Sequence, residues 1–196
     1  VIDVKLVSTT VGGAPYSLNS SPAGDRPIIA ASPMTYVSST VVQNTNPVAI
    51  NSVNNDVISI EVVTNGAITP LSATDFTFRI TGTTNAGDIQ NAKLFYTANI
   101  PVFSTSTQFG STLAVPPASP SNFTISGSAA LVQGTNYFWL TYDVKPTAAC
   151  GAAVQIDGLC NNIVISSVNR VPSPTAPAGA RGINCGTAYY SQCSCD

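Results

Sequence analysis

Apolar and polar residues alternate along most of this chain with a period of two. In 76–81, Phe76, Phe78 and Ile80 form one row while Thr77, Arg79 and Thr81 form the other; such a stretch is a strand buried on one face only. The same rhythm predicts strands over 1–7, 35–42, 57–63, 76–81, 92–97, 123–127, 137–144 and 163–168. The seventh of these, Tyr137-Phe-Trp-Leu-Thr-Tyr-Asp-Val144, is aromatic-rich and suits the centre of a sheet. Turn chemistry separates the strands, at Thr64-Asn-Gly66, Gly82-Thr-Thr-Asn-Ala-Gly87, Pro116-Pro-Ala-Ser-Pro120 and Gln133-Gly-Thr-Asn136. No segment holds a helical stripe beyond a turn or two. Many short strands between regular turns specify an all-β fold: an antiparallel β-sandwich of Ig-like or jelly-roll-like type, with a barrel as the alternative.

Three zones follow from this pattern. Residues 1–33 combine one strand with a loose connector through Ser20-Ser-Pro-Ala-Gly24, and that strand could belong to a neighbouring subunit or to its own sandwich. Residues 34–183 form the sandwich, and 184–196 form a Cys-rich C-terminal tail tied by a disulfide.

Charge sharpens the picture by what it excludes. Charged residues are only 8% of the chain, against ~25% in ordinary soluble domains, and neither sign forms a run. Nucleic acid and anionic membrane surfaces therefore have nothing to bind. No apolar run approaches the ~18 to 20 residues that a spanning helix needs, so membrane insertion is not expected. All five cysteines fall between Cys150 and Cys195, a clustering that suits an oxidising compartment. The chain opens at Val1, as a mature protein does after its signal peptide is removed, or as any cut chain does. A secreted, extracellular or cell-surface location is the expectation.

Four phrases carry a family resemblance: Thr81-Gly-Thr-Thr-Asn-Ala-Gly-Asp-Ile-Gln-Asn-Ala-Lys-Leu-Phe-Tyr-Thr97, Phe103-Ser-Thr-Ser-Thr-Gln-Phe-Gly-Ser111, Gly134-Thr-Asn-Tyr-Phe-Trp-Leu-Thr-Tyr-Asp-Val144 and Thr175-Ala-Pro-Ala-Gly-Ala-Arg181. Between Tyr36 and Ile183 the chain resembles the N-terminal-type β-sandwich domain associated with BNR-repeat sialidases and with other secreted, multidomain surface proteins of Bacteroidetes. The resemblance implies an accessory sandwich without catalytic residues. Residues 1–33 and the Cys-rich end fall outside it.

The chemistry-bearing residues point the same way. There is no histidine, which removes Ser-His and Cys-His nucleophilic catalysis and most zinc geometries. Arg26, Arg79, Arg170 and Arg181 are too scattered to grip a sialic acid carboxylate together. Glu61 is the only glutamate and reads as a solvated residue on the outer face of its strand, while Asp75 and Asp143 read as turn or edge hydrogen-bonding groups. Asn85-Ala-Gly-Asp88 has oxygens of the type that bind calcium, but too few of them, so a plain turn is favoured. No catalytic residue, cofactor or metal is assigned. A Cys150–Cys160 bridge across a hairpin is expected, with a local bridge at Cys185 and one odd thiol among Cys185, Cys193 and Cys195; metal binding by that trio is the alternative.

Two functions remain, neither enzymatic. Only Lys5, Lys93 and Lys145 are available to guard strand edges, so the first is a structural or adhesive subunit that self-assembles into a surface filament by strand addition through Val1, Ile2, Val4 and Leu6. Its partners would be copies of itself or other surface proteins. The second is a carbohydrate-binding accessory module of a glycosidase, sialidase or adhesin, with glycans as partners and Tyr137, Trp139 and Tyr142 as platform. Alternation sets Tyr137 and Trp139 on one face and Phe138, Leu140 and Tyr142 on the other, so much of this set must be core.

Overall fold

A computed structural model describes residues 8–17 and 31–186, and the chain divides into two compact units, Val1–Ser32 and Pro33–Asp196. The strand expected over 1–7 lies outside the described residues. In the first unit β1 (Ser8–Val11) and β2 (Ala14–Ser17) pair antiparallel. Gly12 and Gly13 between them have φ of 59° and 84°, the double positive φ that a two-residue hairpin turn needs.

The second unit holds β3 (Thr35–Gln43), β4 (Val48–Ala49), β5 (Asn55–Asn65), β6 (Ser72–Arg79), β7 (Ile89–Tyr96), β8 (Gln108–Leu113), β9 (Phe123–Ala130), β10 (Gly134–Val144), β11 (Gln155–Ile156), β12 (Leu159–Ile165), β13 (Val168–Arg170) and β14 (Arg181–Asn184). Among the described residues the only helical turn is Ala86–Asp88. One sheet has the order β3-β5-β10-β7-β8 and the facing sheet β13-β12-β6-β9. Every pairing within these two sheets is antiparallel. A third, small sheet, β11-β14-β4, contains one parallel pair, β14 with β4.

Alternation decides which residues fill the space between the two large sheets. Ile58, Ile60 and Val62 of β5, Phe138, Leu140 and Tyr142 of β10, and Phe76 and Phe78 of β6 are all buried. Phe138 meets Phe76 with ring centroids 4.5 Å apart, and Phe109 of β8 stands edge-on to both. These aromatic contacts join the sheets into a sandwich. At Gly110 of β8, where φ is +67°, a Cβ would collide with the Ser126 carbonyl of β9, so glycine is required for these two edge strands to approach.

Several sequence expectations shift. The strand expected over 163–168 turns at Ser166 and Ser167, with φ of 47° and 67°, and becomes the β12–β13 hairpin. β8 has a weak alternation, Gln-Phe-Gly-Ser-Thr-Leu, and was not expected. The Cys150–Cys160 bridge is replaced by Cys150–Cys185. No hairpin closes over 151–159, because Gln155–Ile156 pairs instead with Arg181–Gly182. Cys160 pairs in register with Phe78, and its free thiol lies in the core. Burial pushes that thiol up to about 12, which disfavours the thiolate that nucleophilic attack or metal ligation needs.

Candidate functional site

The outward rows of the five-stranded sheet collect what the core does not use. On β10 these are Tyr137 and Trp139, both half-buried. In register, Tyr137 lies opposite Glu61 and Trp139 opposite Ser59 on β5. On the other flank Trp139 lies opposite Phe95 of β7, and beyond β5 the residues Thr40 and Val42 of β3 complete the face. The Tyr137 and Trp139 rings stack, with centroids 6.2 Å apart and planes at 20° to one another, and form one aromatic strip.

Trp139 is anchored from two directions. Trp139 Nε1 donates to Thr97 Oγ1 at 2.9 Å, and Thr97 Oγ1 donates in turn to the Ile100 carbonyl at 2.7 Å. Phe103 packs 5.9 Å from Trp139 and 5.9 Å from Phe95. A hydrogen bond at one end and aromatic packing on one side fix the indole plane before any ligand arrives.

Beside Trp139 lies a surface depression of about 410 Å³, lined by Val42, Gln43, Asn44, Asn46, Asp56 and Ser59 among others. Its polar lip is built by long-range contacts. Arg181 of β14 is buried, donates from Nε to the Asn46 carbonyl at 2.6 Å, and pairs from Nη1 with Asp56 at 2.9 Å. Asn44 Nδ2 donates to the other Asp56 oxygen at 2.8 Å, while its Oδ1 accepts from the Asn46 amide. The Cys150–Cys185 disulfide follows β14 directly, and the Gly151 amide donates to the Ile183 carbonyl at 2.9 Å. The disulfide therefore braces the strand that carries Arg181.

Of the sequence-nominated platform, Tyr137 and Trp139 stand together on the surface. Tyr142 does not: it is fully buried, and its hydroxyl has no partner. Burial, together with the Asp157 charge, pushes that hydroxyl well above the usual phenol range. The lip residues Gln43, Asn44, Asn46, Asp56 and Arg181 escaped sequence reasoning; Asn44-Thr-Asn-Pro47, a turn signal after a strand, was the one hint.

Other polar groups have structural partners. Asp143 is nearly buried and pairs with Lys93 at 3.1 Å, and it accepts from the Asn54 amide and from Asn91 Nδ2 at 2.8 Å each. Its position follows from the register shifts after Leu140 and Thr141, since a bulge re-aims the side chains beyond it. Asp75 accepts from Ser126 Oγ at 2.6 Å. Asn85 Oδ1 accepts from the Gly87 amide, and Asp88 Oδ1 accepts from Asn85 Nδ2 and the Ala149 amide, which is turn chemistry. Arg79 donates to Asn122, and Arg170 stacks over Tyr36 at 4.4 Å. With Arg181 committed to Asp56, these three arginines are spread over β6, β13 and β14; Arg26 lies outside the described residues. So do Cys193 and Cys195, and so do the strand-exchange candidates Val1, Ile2, Val4 and Leu6.

Residues 36–167 match the family described as the N-terminal domain of BNR-repeat neuraminidase. Among solved structures, the fold is similar to that of Hadza microbial sialidase Hz136, with a TM-score of 0.53 and 16% sequence identity over 75% of this chain and 31% of that chain. This chain thus spans less than a third of that sialidase's length. No curated protein matches it.

Proposed function

The chain belongs to the family of N-terminal domains of BNR-repeat neuraminidases, and on that premise we propose that it is a non-catalytic accessory module that holds glycan for a neighbouring catalytic domain. One observation carries the reading: the Tyr137–Trp139 strip beside a depression of about 410 Å³ with an amide-rich lip. An aromatic surface accepts the C–H face of a sugar ring, and adjacent amides orient its hydroxyls.

Catalysis within the chain has little to build on. Histidine is absent, and Glu61 is the only glutamate. Asp56 is committed to Arg181, and Asp143 to Lys93. A secreted or cell-surface location fits a module that meets glycans. Nothing among the described residues speaks for the filament reading.

The test uses a convenience of composition, because Trp139 is the only tryptophan in the chain. Titration with glycans should change its intrinsic fluorescence saturably, and Tyr137→Ala should weaken that response at least tenfold. A fluorescence signal indifferent to every glycan offered would remove the reading.

A further inference from the structure

We infer that the site takes an uncharged sugar, a neutral hexose or N-acetylhexosamine, and disfavours the acidic sialic acid that a sialidase removes. This rests on the proposal that the Tyr137–Trp139 strip is a glycan platform and adds the class of sugar it selects.

The argument is one of charge placement. Recognition of a sugar carboxylate calls for a free guanidinium or ammonium group. Two described cations approach the outer face, and both are occupied. Arg181 is tied to Asp56 and to the Asn46 carbonyl. Lys93 Nζ is tied to Asp143 at 3.1 Å and to Asn54 Oδ1 at 2.7 Å. The one carboxylate beside the strip with no ion pair among the described residues is Glu61, directly opposite Tyr137 in the β5–β10 register. Opposed residues on one face of an antiparallel pair lie ~5 Å apart at Cβ, so an anion laid over Tyr137 meets like charge and no counter-charge.

The remaining lining suits neutral groups. The amides of Gln43 and Asn44 are held by protein partners, but the exposed Asn46 carries an amide that donates and accepts, and Thr45 and Ser59 carry hydroxyls that do the same. These match sugar hydroxyl and acetamido groups without demanding charge. The module would then retain its protein on the neutral glycan left after desialylation.

The experiment compares lactose and N-acetyllactosamine with 3′-sialyllactose, titrated into the full chain and followed by Trp139 fluorescence. The neutral sugars should bind at least tenfold more tightly than the sialylated one, and Glu61→Gln should raise the affinity for 3′-sialyllactose and narrow that gap. Equal or tighter binding of 3′-sialyllactose would overturn the inference and leave the glycan platform standing. A gap that Glu61→Gln leaves untouched would overturn the charge argument. No response to any of the three sugars would overturn the platform itself and the inference with it.

Discussion

The two large sheets turn unlike faces to solvent. On the four-stranded sheet many of the outward side chains are polar and paired with one another, with Leu159 and Val164 between them. Thr77 meets Thr124 at 3.1 Å, Ser126 donates to Asp75, Arg79 donates to Asn122, and Asn162 donates to Asn169. On the five-stranded sheet the outward row of β10 is the half-buried pair Tyr137 and Trp139, backed by the buried Phe95 and by Phe103 of the β7–β8 loop, and it borders a depression. A face whose polar groups satisfy one another offers a ligand little, because each new hydrogen bond must displace an existing one. Aromatic rings that remain half-exposed offer contact area without such a cost. Under the proposed function, the contrast places ligand binding on one sheet and a supporting role on the other.

The harshest way to break the comparison is to remove the core that both faces share. Phe138 is fully buried between Phe76, Tyr96 and Phe109, so Phe138→Ala should cost about 3–5 kcal/mol in urea unfolding, with both faces lost in one transition. Removing the Cys150–Cys185 bridge, which spans 35 residues, should cost about 3–4 kcal/mol by chain entropy. Because the bridge braces β14 and hence Arg181, reduction should also weaken glycan binding by calorimetry. A disulfide-free variant with unchanged affinity would show that the lip holds without its brace.

Substitutions on the surface sharpen the contrast. Trp139→Ala should abolish glycan heat in calorimetry while the protein stays folded. Thr77→Ala, its counterpart on the other sheet, should change stability by less than about 1 kcal/mol and leave affinity alone. The smallest effect concerns pH and touches neither outer face. Burial lifts the Asp157 carboxyl to about 6, so the folded state holds that proton more tightly than the unfolded chain does. Its contribution is complete below the ordinary carboxylate range, near ~4, and is lost as pH rises through about 6. Thermal melts between those values should decline slightly with rising pH, and Asp157→Asn should flatten the decline.

Much of the fold was legible because burial and alternation are the same physical fact. The rows that place Phe138, Leu140 and Tyr142 inward and Tyr137 and Trp139 outward could be read from the order of residues alone. What escaped depends on chain closure over long separations. Arg181 reaches Asp56 across 125 positions, and no local pattern announces that the two will build a lip for Trp139. The cysteines show the same limit. Spacing favoured Cys160 as the partner of Cys150, but β12 carries Cys160 into the core, whereas β14 returns Cys185 to the loop that holds Cys150. β8 was missed because glycine and serine dilute its alternation, although Phe109 anchors it to the core.

The claim that one face binds glycan and the other does not is tested most directly by mapping amide chemical shifts in a ¹⁵N-labelled chain as lactose is added. The account predicts perturbations concentrated at Val42 to Asn46, Ser59 to Glu61 and Tyr137 to Trp139, with Asp75 to Arg79 and Thr124 to Ser126 silent. Perturbations centred on β6 and β9, or no perturbation at saturating sugar, would contradict it.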